Sequence, residues 1–310
     1  MDPSAIIELL KSVLFGIVEG LTEWLPISST GHLILLQEFV TLDVSKDFWD
    51  MFMVVIQLGA ILAICVLYFT QLNPWARSKT PAERHDTWAT WGKILVGIIP
   101  AAVVGIPLNS FMEEHLSNWQ VVSAALIFYG IVFIVIETWR ARKIRRGELG
   151  GASSLPRGKH FSDADRAAVA SESDPGIQTM DEVSLGRAFG IGCFQVLSLV
   201  PGTSRSGSTI IGGLLLGCSR TLAAEYSFYM AIPVMFGASA LRLVKYFAAG
   251  NTFTGMEVAI LLVGMVVAFL TSVLSVKFLM RFIKTNDFKP FGVYRIVLGA
   301  VVIAYFLLAR

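Results

Sequence analysis

Polar side chains that could do chemistry are concentrated in a short segment near the start of the chain, among otherwise apolar residues. They are Glu19, Glu23, Ser28, Ser29, Thr30 and His32. A histidine close to hydroxyls and carboxylates is the usual arrangement for activating an oxygen nucleophile. Helix capping explains one of the hydroxyl residues, but not all of them followed by a histidine. We therefore predict that this segment supplies a nucleophile and that His32 transfers a proton.

The two carboxylates of this segment are placed to act together. Glu19 and Glu23 are one helical turn apart, so they share one face of a helix. Carboxylates this close repel each other, and a divalent cation or an arginine would relieve the repulsion. A pair of solvated charges at a helix end is the simpler alternative, but the apolar neighbours give little reason for carboxylates there.

A second polar segment, 201–209 with the sequence PGTSRSGST, lies in the other half of the chain. Its glycines and hydroxyls lead into a predicted helix, where backbone N–H groups and the helix dipole attract anions. Arg205 adds a planar guanidinium suited to phosphate oxygens. The alternative is that Arg205 pairs with Glu19 or Glu23 for structure alone. The spacing is not that of a Walker A loop, so nucleotide use is not indicated.

The elements that must carry these segments are membrane helices. The chain has 310 residues, of which 55% are hydrophobic and only 15% are charged, whereas a soluble domain carries about 25% charged residues. The segments long and apolar enough to span a bilayer are 51–70, 93–110, 120–139, 221–246, 257–280 and 291–309. We therefore predict an all-α polytopic membrane protein with six transmembrane helices. A polar site of this kind within a membrane indicates phosphoryl transfer on a lipid-borne phosphate.

Two further apolar regions, 5–40 and 186–217, are interrupted by the polar segments. Their uninterrupted arms are short: 5–18, 33–40, 186–200 and 208–217. The arm 5–18 reaches only about 21 Å, which is less than a hydrocarbon core of about 30 Å. Irregular backbone at membrane depth is tolerated only where protein or water covers it. The sequence therefore predicts two re-entrant helix–loop–helix hairpins.

The positive residues give a topology, because short cytoplasmic loops are enriched in Lys and Arg. They crowd the central loop 141–185 and recur in 71–92 and 281–290, whereas 111–119 and 247–256 contain none. This distribution is consistent only if both interrupted regions return to the side from which they enter. The loop 141–185, rich in Gly, Ser, Asp, Arg and Ala, is predicted to be flexible and cytoplasmic.

The predicted organisation is an inverted-topology repeat, with one hairpin and three spans in each half. Residues 1–140 form the first repeat and residues 186–310 the second. The sequence echoes between the halves are Phe15-Gly-Ile-Val-Glu19 with Ile191-Gly-Cys-Phe-Gln195, Pro26-Ile-Ser-Ser29 with Pro201-Gly-Thr-Ser204, and Val96-Gly-Ile-Ile-Pro-Ala101 with Val263-Gly-Met-Val-Val-Ala268. The two polar segments are therefore expected to form one site between the halves.

Composition and spacing give no support to several other classes. The basic residues cluster in one loop without interleaved aromatics, so nucleic acid is not an expected partner. Cys65, Cys193 and Cys218 lie far apart within apolar segments, so neither a disulfide framework nor a cysteine metal site is predicted. The start of the chain lacks the basic region and cleavage site of a signal peptide, so its first apolar stretch is expected to remain.

The two polar segments resemble those of the undecaprenyl-diphosphate phosphatase family, the bacitracin-resistance integral membrane enzymes. The resemblance rests on EGLTEWLPISSTGH at 19–32 and PGTSRSG at 201–207, and it extends to VIQLG at 55–59, GIGCFQ at 190–195 and EYSF at 225–228. It implies hydrolysis of undecaprenyl diphosphate to undecaprenyl phosphate and inorganic phosphate, which recycles the cell-wall carrier lipid and gives bacitracin resistance. It also implies a bacterial inner membrane protein whose site opens to the outer, periplasmic side.

Carried over by motif position, the resemblance implies that Glu23, Ser29, His32 and Arg205 are catalytic. The substrate phosphates are expected at Ser28, Thr30, Gly202, Thr203, Ser204, Arg205, Ser206, Gly207 and Thr209. A divalent cation, Mg²⁺ or Ca²⁺, is the expected cofactor, with Glu19 and Glu23 as its ligands. The expected partners are a polyprenyl diphosphate lipid and the membrane lipids, and a homodimer stays open.

The mechanism expected from these assignments starts with Ser29, which attacks the terminal phosphorus or orients a water that does. His32 takes the proton of the nucleophile or protonates the leaving oxygen. Arg205 and the backbone of 202–207 stabilise the charge on the transferred phosphoryl group. The two glutamates bind the cation, or orient His32 and Arg205.

Two alternative functions share parts of this pattern. A secondary transporter or flippase for a phosphorylated lipid would also use broken helices and an anion site, but transport does not require the pair Ser29 and His32. The type-2 phosphatidic acid phosphatase superfamily has a superficial likeness at Ser29-Thr-Gly-His32 and Ser204-Arg205. Its Lys-x6-Arg-Pro motif and its later His-x3-Asp are missing from this sequence.

Overall fold

The computed structural model describes residues 3–116, 118–146, 148–149 and 174–308, which form a bundle of helices. The α-helices are α1 Pro3–Thr22, α2 Ser29–Phe39, α3 Lys46–Val55, α4 Gln57–Leu67, α5 Phe69–Leu72, α6 Pro81–Leu116, α7 Trp119–Arg145, α8 Leu185–Val196, α9 Arg205–Leu215, α10 Arg220–Ala248, α11 Gly255–Phe282 and α12 Lys289–Leu308. Single 3₁₀ turns cover Met180–Glu182 and Leu197–Leu199. The described residues contain no β-strand, only an isolated bridge between Ile177 and Cys218.

Six helical segments of the described chain are long and apolar enough to cross a membrane. They are Lys46–Leu67, Pro81–Leu108, Trp119–Arg145, Arg220–Ala248, Gly255–Phe282 and Lys289–Leu308. Each overlaps one of the predicted spans, so the prediction of an all-α multi-pass membrane protein is confirmed. The first of them is composite, because α3 and α4 meet at Ile56.

Helix α6 is longer than the span predicted at 93–110. Its 36 residues extend about 54 Å, well beyond a hydrocarbon core of about 30 Å. The helix begins at Pro81 because Thr80 and Glu83 form a capping box around it. The Glu83 N–H donates to Thr80 Oγ1 at 3.3 Å, and the Thr80 N–H donates to Glu83 Oε2 at 2.7 Å. Hydropathy alone does not detect this polar first part of the helix.

Both interrupted regions form a helix, a turn and a second helix, but the first arm is longer than predicted. Helix α1 has 20 residues and is about 30 Å long, in place of the about 21 Å expected for 5–18. It continues through Glu19 because the face that carries this residue is buried in the bundle. It ends at Thr22, shortly before Pro26, which cannot continue a helix.

Each of these two regions packs against the opposite half of the chain. Helix α1 lies along α11, α8 lies along α6, and α7 and α12 lie along each other. Glycines permit the close approach. A Cβ on Gly16 would come within 2.6 Å of the Gly264 carbonyl oxygen, and a Cβ on Gly192 would collide with the carbonyl oxygen of Gly97. The two contacts correspond to each other across the halves. In the sequence echoes, Gly16 is equivalent to Gly192, and Gly264 is equivalent to Gly97.

The structure of the two turns aligns their residues differently, by one position, from the alignment inferred from the sequence. Ser28 and Ser204 have φ angles of 73° and 72°, and each is the N-cap of a helix of 11 residues. Ser28 therefore corresponds to Ser204, and Ser29 corresponds to Arg205. The echo drawn from the sequence paired Ser29 with Ser204, because the second turn holds one residue more after its proline.

The central segment 141–185 is helical at its start and ordered at its end. Helix α7 continues to Arg145, and the residues after Asp174 include the bridge at Ile177 and a 3₁₀ turn. The prediction of a flexible loop also covers residues 147 and 150–173, which lie outside the described residues.

A buried arginine attaches the end of this segment to the bundle. Arg140 is fully buried and donates to three carbonyl oxygens: Leu214 O at 3.0 Å, Cys218 O at 3.1 Å and Pro175 O at 3.1 Å. These contacts hold the C-terminal end of α9 and the segment after it. Arg205 lies at the opposite end of α9, about 16 Å away along the helix axis.

Candidate active site

Two serine-capped turns bring the polar segments together. Ser28 and Ser204 lie in the left-handed region, and no other non-glycine residue of the described chain has a positive φ. Ser28 Oγ accepts the N–H of Gly31 at 3.3 Å, and Ser204 Oγ accepts the N–H of Gly207 at 3.1 Å. Strained backbone of this kind is concentrated at functional sites. The turns place Ser29 and Arg205 at the first positions of α2 and α9, and Thr30 is exposed beside them.

Glu23 joins the two halves of the site. Ser29 Oγ donates to Glu23 Oε2 at 2.6 Å, and Arg205 Nη2 donates to Glu23 Oε1 at 3.0 Å. Glu23 and Ser29 are each only 8% exposed. A carboxylate at this distance can accept the proton of the hydroxyl, and the guanidinium places a positive charge next to it. Three of the predicted catalytic residues therefore lie together.

Arg205 is held in one orientation from several sides. Its Nη1 donates to Ser227 O at 3.1 Å, and its guanidinium lies 5.6 Å from the centre of the Trp24 ring. Thr209, predicted to bind phosphate, instead has its Oγ1 at 2.9 Å from Arg205 O and 2.6 Å from Ser227 Oγ. Because Thr209 is fully buried, it supports Arg205 rather than facing a substrate.

The other residues of the second turn differ in their surroundings. Ser206 Oγ donates to Glu23 O at 3.1 Å and lies 3.1 Å from Ser204 Oγ, which ties the second turn to the first segment. Thr203 is fully buried. Gly202, with a φ of 90°, lies so close to the backbone of α7 that a Cβ would come within 2.6 Å of a carbonyl oxygen. Gly202 and Thr203 therefore form the back of the turn.

His32 lies on α2 but is not hydrogen-bonded to Ser29. Its Nδ1 is 2.7 Å from Ser28 O, and its Nε2 is 2.7 Å from Tyr294 Oη. Because a carbonyl oxygen only accepts, Nδ1 carries the hydrogen of the neutral ring and Nε2 accepts from the Tyr294 hydroxyl. The expected proton transfer between Ser29 and His32 therefore lacks a direct contact, and Glu23 is the partner of Ser29 instead.

Glu19, the other predicted cation ligand, is fully buried, and neither of its carboxylate oxygens has a hydrogen-bond partner among the described residues. Gln195, its counterpart in the sequence echo, is also buried, with an unpartnered Oε1. The described chain holds no group of three or more His, Cys, Asp or Glu that could hold a metal ion. A pair of carboxylates fits Mg²⁺ when substrate phosphates and waters complete the coordination. Both oxygens of Glu19 are open to such a role, whereas the oxygens of Glu23 already accept hydrogen bonds from Ser29 and Arg205.

Arg295 is a residue of this site that sequence reasoning did not single out. It is fully buried, and its guanidinium donates to Pro26 O at 3.1 Å, Gly202 O at 2.8 Å and Thr203 O at 2.9 Å. One of these carbonyls belongs to the first turn and two belong to the second. An arginine within the apolar span 291–309 is itself a signal of function, and this signal could have found it.

An apolar groove of about 750 Å³ lies beside the site, with His32 and Tyr294 in its lining. Its walls come from α1, α11 and α12, and they include Leu21, Leu25, Leu274, Phe278 and Phe291. Apolar walls with a polar end suit a ligand that has a hydrocarbon body and a polar head. The walls are far apart in the chain, so no local sequence pattern indicates the groove.

The bundle and its site define a multi-pass membrane protein with a buried serine, carboxylate and arginine enclosed between two helix breaks. The family described as bacitracin resistance protein BacA matches residues 12–301. The chain belongs to this family.

Similar proteins cover almost the whole chain. A protein from Limosilactobacillus fermentum is 50% identical over 303 residues, which are 98% of this chain and 99% of that protein. One from Lactiplantibacillus plantarum is 50% identical over 303 residues, with the same coverage of 98% and 99%. One from Streptococcus thermophilus is 51% identical over 300 residues, 97% of this chain and 94% of that protein. Each of the three is named undecaprenyl-diphosphatase.

Proposed function

We propose that this protein hydrolyses undecaprenyl diphosphate to undecaprenyl phosphate and inorganic phosphate, and thereby gives bacitracin resistance. The observation that carries the proposal is the contact of Glu23 with both Ser29, at 2.6 Å, and Arg205, at 3.0 Å. It combines a nucleophile, a base and a cation for phosphate in one buried site. The names of the similar proteins agree with this reaction, and the apolar groove suits the polyprenyl chain.

The first step of the proposed reaction uses Ser29 and Glu23. Ser29 Oγ attacks the terminal phosphorus, or orients the water that does, and Glu23 Oε2 accepts the proton. The bond between the terminal phosphorus and the bridging oxygen breaks, and its electron pair leaves with the lipid phosphate. If Ser29 is the attacking atom, water then releases the phosphate from it.

Charge on the transferred phosphoryl group is stabilised by the second turn. Arg205 uses only part of its donors for Glu23 and Ser227, so the others are free to bind phosphoryl oxygens. The backbone N–H groups of residues 205 and 206 at the start of α9 add the positive end of a helix dipole, whereas the N–H of Gly207 already donates to Ser204 Oγ. Because these donors are fixed before the substrate arrives, they stabilise the transition state without reorganisation.

His32 belongs to the leaving-group side of the site. It lines the apolar groove together with Tyr294, and it has no hydrogen bond to Ser29 among those of the described residues. The lipid phosphate has to leave along the groove that holds its hydrocarbon chain. Of the two roles predicted for His32, protonation of the leaving oxygen therefore fits its place better than activation of Ser29. This role requires the imidazolium form, in which Nε2 carries the proton that it gives to the leaving oxygen.

Glu19 and Glu23 would hold a Mg²⁺ or Ca²⁺ ion together with oxygens of the substrate. Such an ion, when bound, neutralises negative charge on the diphosphate. The free oxygens of the buried Glu19 are the feature of the site that supports this proposal.

The finer architecture is part of the proposal. The reciprocal packing of α1 on α11 and of α8 on α6 supports an inverted repeat with two re-entrant hairpins. The distribution of Lys and Arg supports an orientation in a bacterial inner membrane with 71–92 and the central segment on the cytoplasmic side. The site then opens to the outer side, where the spent carrier lipid diphosphate is produced.

The test is phosphate release from undecaprenyl diphosphate by the purified protein in detergent, where no second compartment exists. We expect release by the wild type, its loss on chelation of divalent cations, and a decrease of at least about 10²-fold in Ser29→Ala. Ser123→Ala, which removes a buried serine on α7, is the control and should keep wild-type activity. A protein that binds the lipid but releases no phosphate would instead be a transporter, and wild-type activity in Ser29→Ala would exclude Ser29 as the nucleophile.

A further inference from the structure

Arg295 makes an unusual set of contacts for a buried cation. It is fully buried on α12, and its guanidinium donates only to backbone carbonyls among the described residues, while its Nε has no partner there. No carboxylate of the described residues lies within salt-bridge distance of it. A buried charge without a counter-charge is costly unless its hydrogen bonds are well made. An apolar residue would fill this position of a membrane helix at a lower cost, so the contacts themselves require an explanation.

The carbonyls that Arg295 binds lie in both turns of the site. Pro26 O precedes Ser29 in the first turn, and Gly202 O and Thr203 O precede Arg205 in the second. A planar guanidinium with several donors can bind carbonyls from two segments at once. These contacts therefore fix the separation between the segment that carries the nucleophile and the segment that carries the phosphate-binding arginine.

Arg295 also lies directly behind the start of α9. A Cβ on Gly207 would be only 3.2 Å from its Nη1, so a larger residue at 207 would push the guanidinium away.

We propose that Arg295 is a positioning residue, which holds the two turns in register through its guanidinium. This inference rests on the proposed function for its effect on catalysis, but not for its effect on the turns. A displacement of about 1 Å between reacting groups costs about 10²-fold in rate. Loss of the guanidinium should therefore lower kcat far more than it changes KM.

The chain offers a matched control in Arg140. It too is a fully buried arginine that donates to three backbone carbonyls, but it lies at the opposite end of α9 and also pairs with the Asp174 carboxylate at 3.5 Å. We compare Arg295→Lys with Arg140→Lys, each of which keeps the charge and loses the planar group. Arg295→Lys should lower kcat by about 10²-fold with a KM within about threefold of wild type. Arg140→Lys should lose thermal stability and keep its kcat.

Chemical rescue of the Arg295→Ala variant distinguishes a positioning role of the guanidinium from a general loss of folding. Added guanidinium ion should restore part of the kcat of Arg295→Ala and should not raise that of Arg140→Ala. If Arg295→Lys does not fold, Arg295→Gln, which keeps a planar donor, takes its place in the comparison. Equal losses of kcat in the Arg295 and Arg140 variants, without rescue of either, would overturn the proposal.

Hydrogen–deuterium exchange gives a readout that does not depend on activity. In Arg295→Lys the backbone of 24–31 and 200–207 should exchange faster, whereas Arg140→Lys should affect 174–178 and 214–221. Unchanged exchange at both turns in Arg295→Lys would overturn the positioning role even if the enzyme is active. Absence of phosphate release by the wild type would reject the proposed function, and the exchange data would still decide the role of Arg295.

Discussion

At the residue scale, the contact between Ser29 and Glu23 indicates how the proposed nucleophile would be activated. A histidine base would need its free nitrogen directed at Ser29, but Nε2 of His32 accepts from Tyr294. Glu23 Oε2 is 2.6 Å from Ser29 Oγ, and its other oxygen is paired with Arg205. The carboxylate is therefore the group placed to receive the proton.

Glu19→Gln tests the second carboxylate. The change keeps the size of the side chain and removes its charge, so a cation held by Glu19 and Glu23 loses one ligand. We expect the Mg²⁺ concentration needed for half-maximal phosphate release to rise by at least about 10-fold. Glu257→Gln, at an exposed helix cap, should leave the Mg²⁺ dependence unchanged. The same Mg²⁺ dependence in Glu19→Gln and wild type would exclude Glu19 as a ligand.

The residues that meet at the site, and the pairing of Arg205 with a glutamate, could be predicted from the sequence. Ionisable side chains among apolar residues indicated Glu19, Glu23 and Arg205, because such residues are costly in a membrane. The partner of Ser29 could not be predicted, because it depends on the left-handed backbone of Ser28. No simple sequence pattern predicts this conformation. Arg295 was overlooked because it stands alone in an apolar span, without a polar segment around it.

At the element scale, glycine contacts determine how closely the interrupted regions approach the spans of the other half. Gly16 on α1 lies against the backbone of α11 at Gly264, and Gly192 on α8 lies against that of α6 at Gly97. The helices that these contacts hold also carry Glu19 and Gln195. Packing of α1 on α11 therefore sets the depth and direction of the first polar segment.

Gly16→Val tests this contact. A side chain at this position would meet the Gly264 carbonyl oxygen and the Val267 side chain, and such overpacking costs about 1–3 kcal/mol. We expect a lower thermal unfolding temperature in detergent and a decrease in activity. Gly237→Val, at a position with open space around it, is the control. Equal stability of the two variants would mean that α1 does not pack on α11 as described.

The type and order of the elements could be predicted, whereas their ends could not. Apolar runs gave every span, because a bilayer demands long apolar helices. The start of α6 at Pro81 depends on the capping box of Thr80 and Glu83, which hydropathy does not detect. The end of α1 depends on tertiary burial of Glu19, so the shorter arm expected at 5–18 was wrong in length.

At the scale of the whole molecule, the proposed repeat would explain why the site needs both halves. The shared register places Ser29 and Arg205 at equivalent positions of two equivalent turns. One turn carries the proposed nucleophile at this position and the other carries a cation, and Glu23 contacts both. Neither half carries the complete site.

The orientation that we propose from the positive residues can be tested with single cysteines. In a variant without the native cysteines, Ser78→Cys lies in the predicted cytoplasmic segment and Thr252→Cys in the predicted outer one, and both positions are exposed. A membrane-impermeant maleimide added to intact cells should label Thr252→Cys alone. Labelling of Ser78→Cys alone would invert the topology and place the site on the cytoplasmic side.

The most direct measurement of the central claim is phosphate release from undecaprenyl diphosphate by purified Glu23→Gln beside the wild type. Glutamine keeps the size of the side chain but cannot take the proton of Ser29, and it loses the ion pair with Arg205. We predict that kcat falls by about 10²-fold or more. A kcat within about twofold of the wild type would contradict the assignment of Glu23 as the base that activates Ser29.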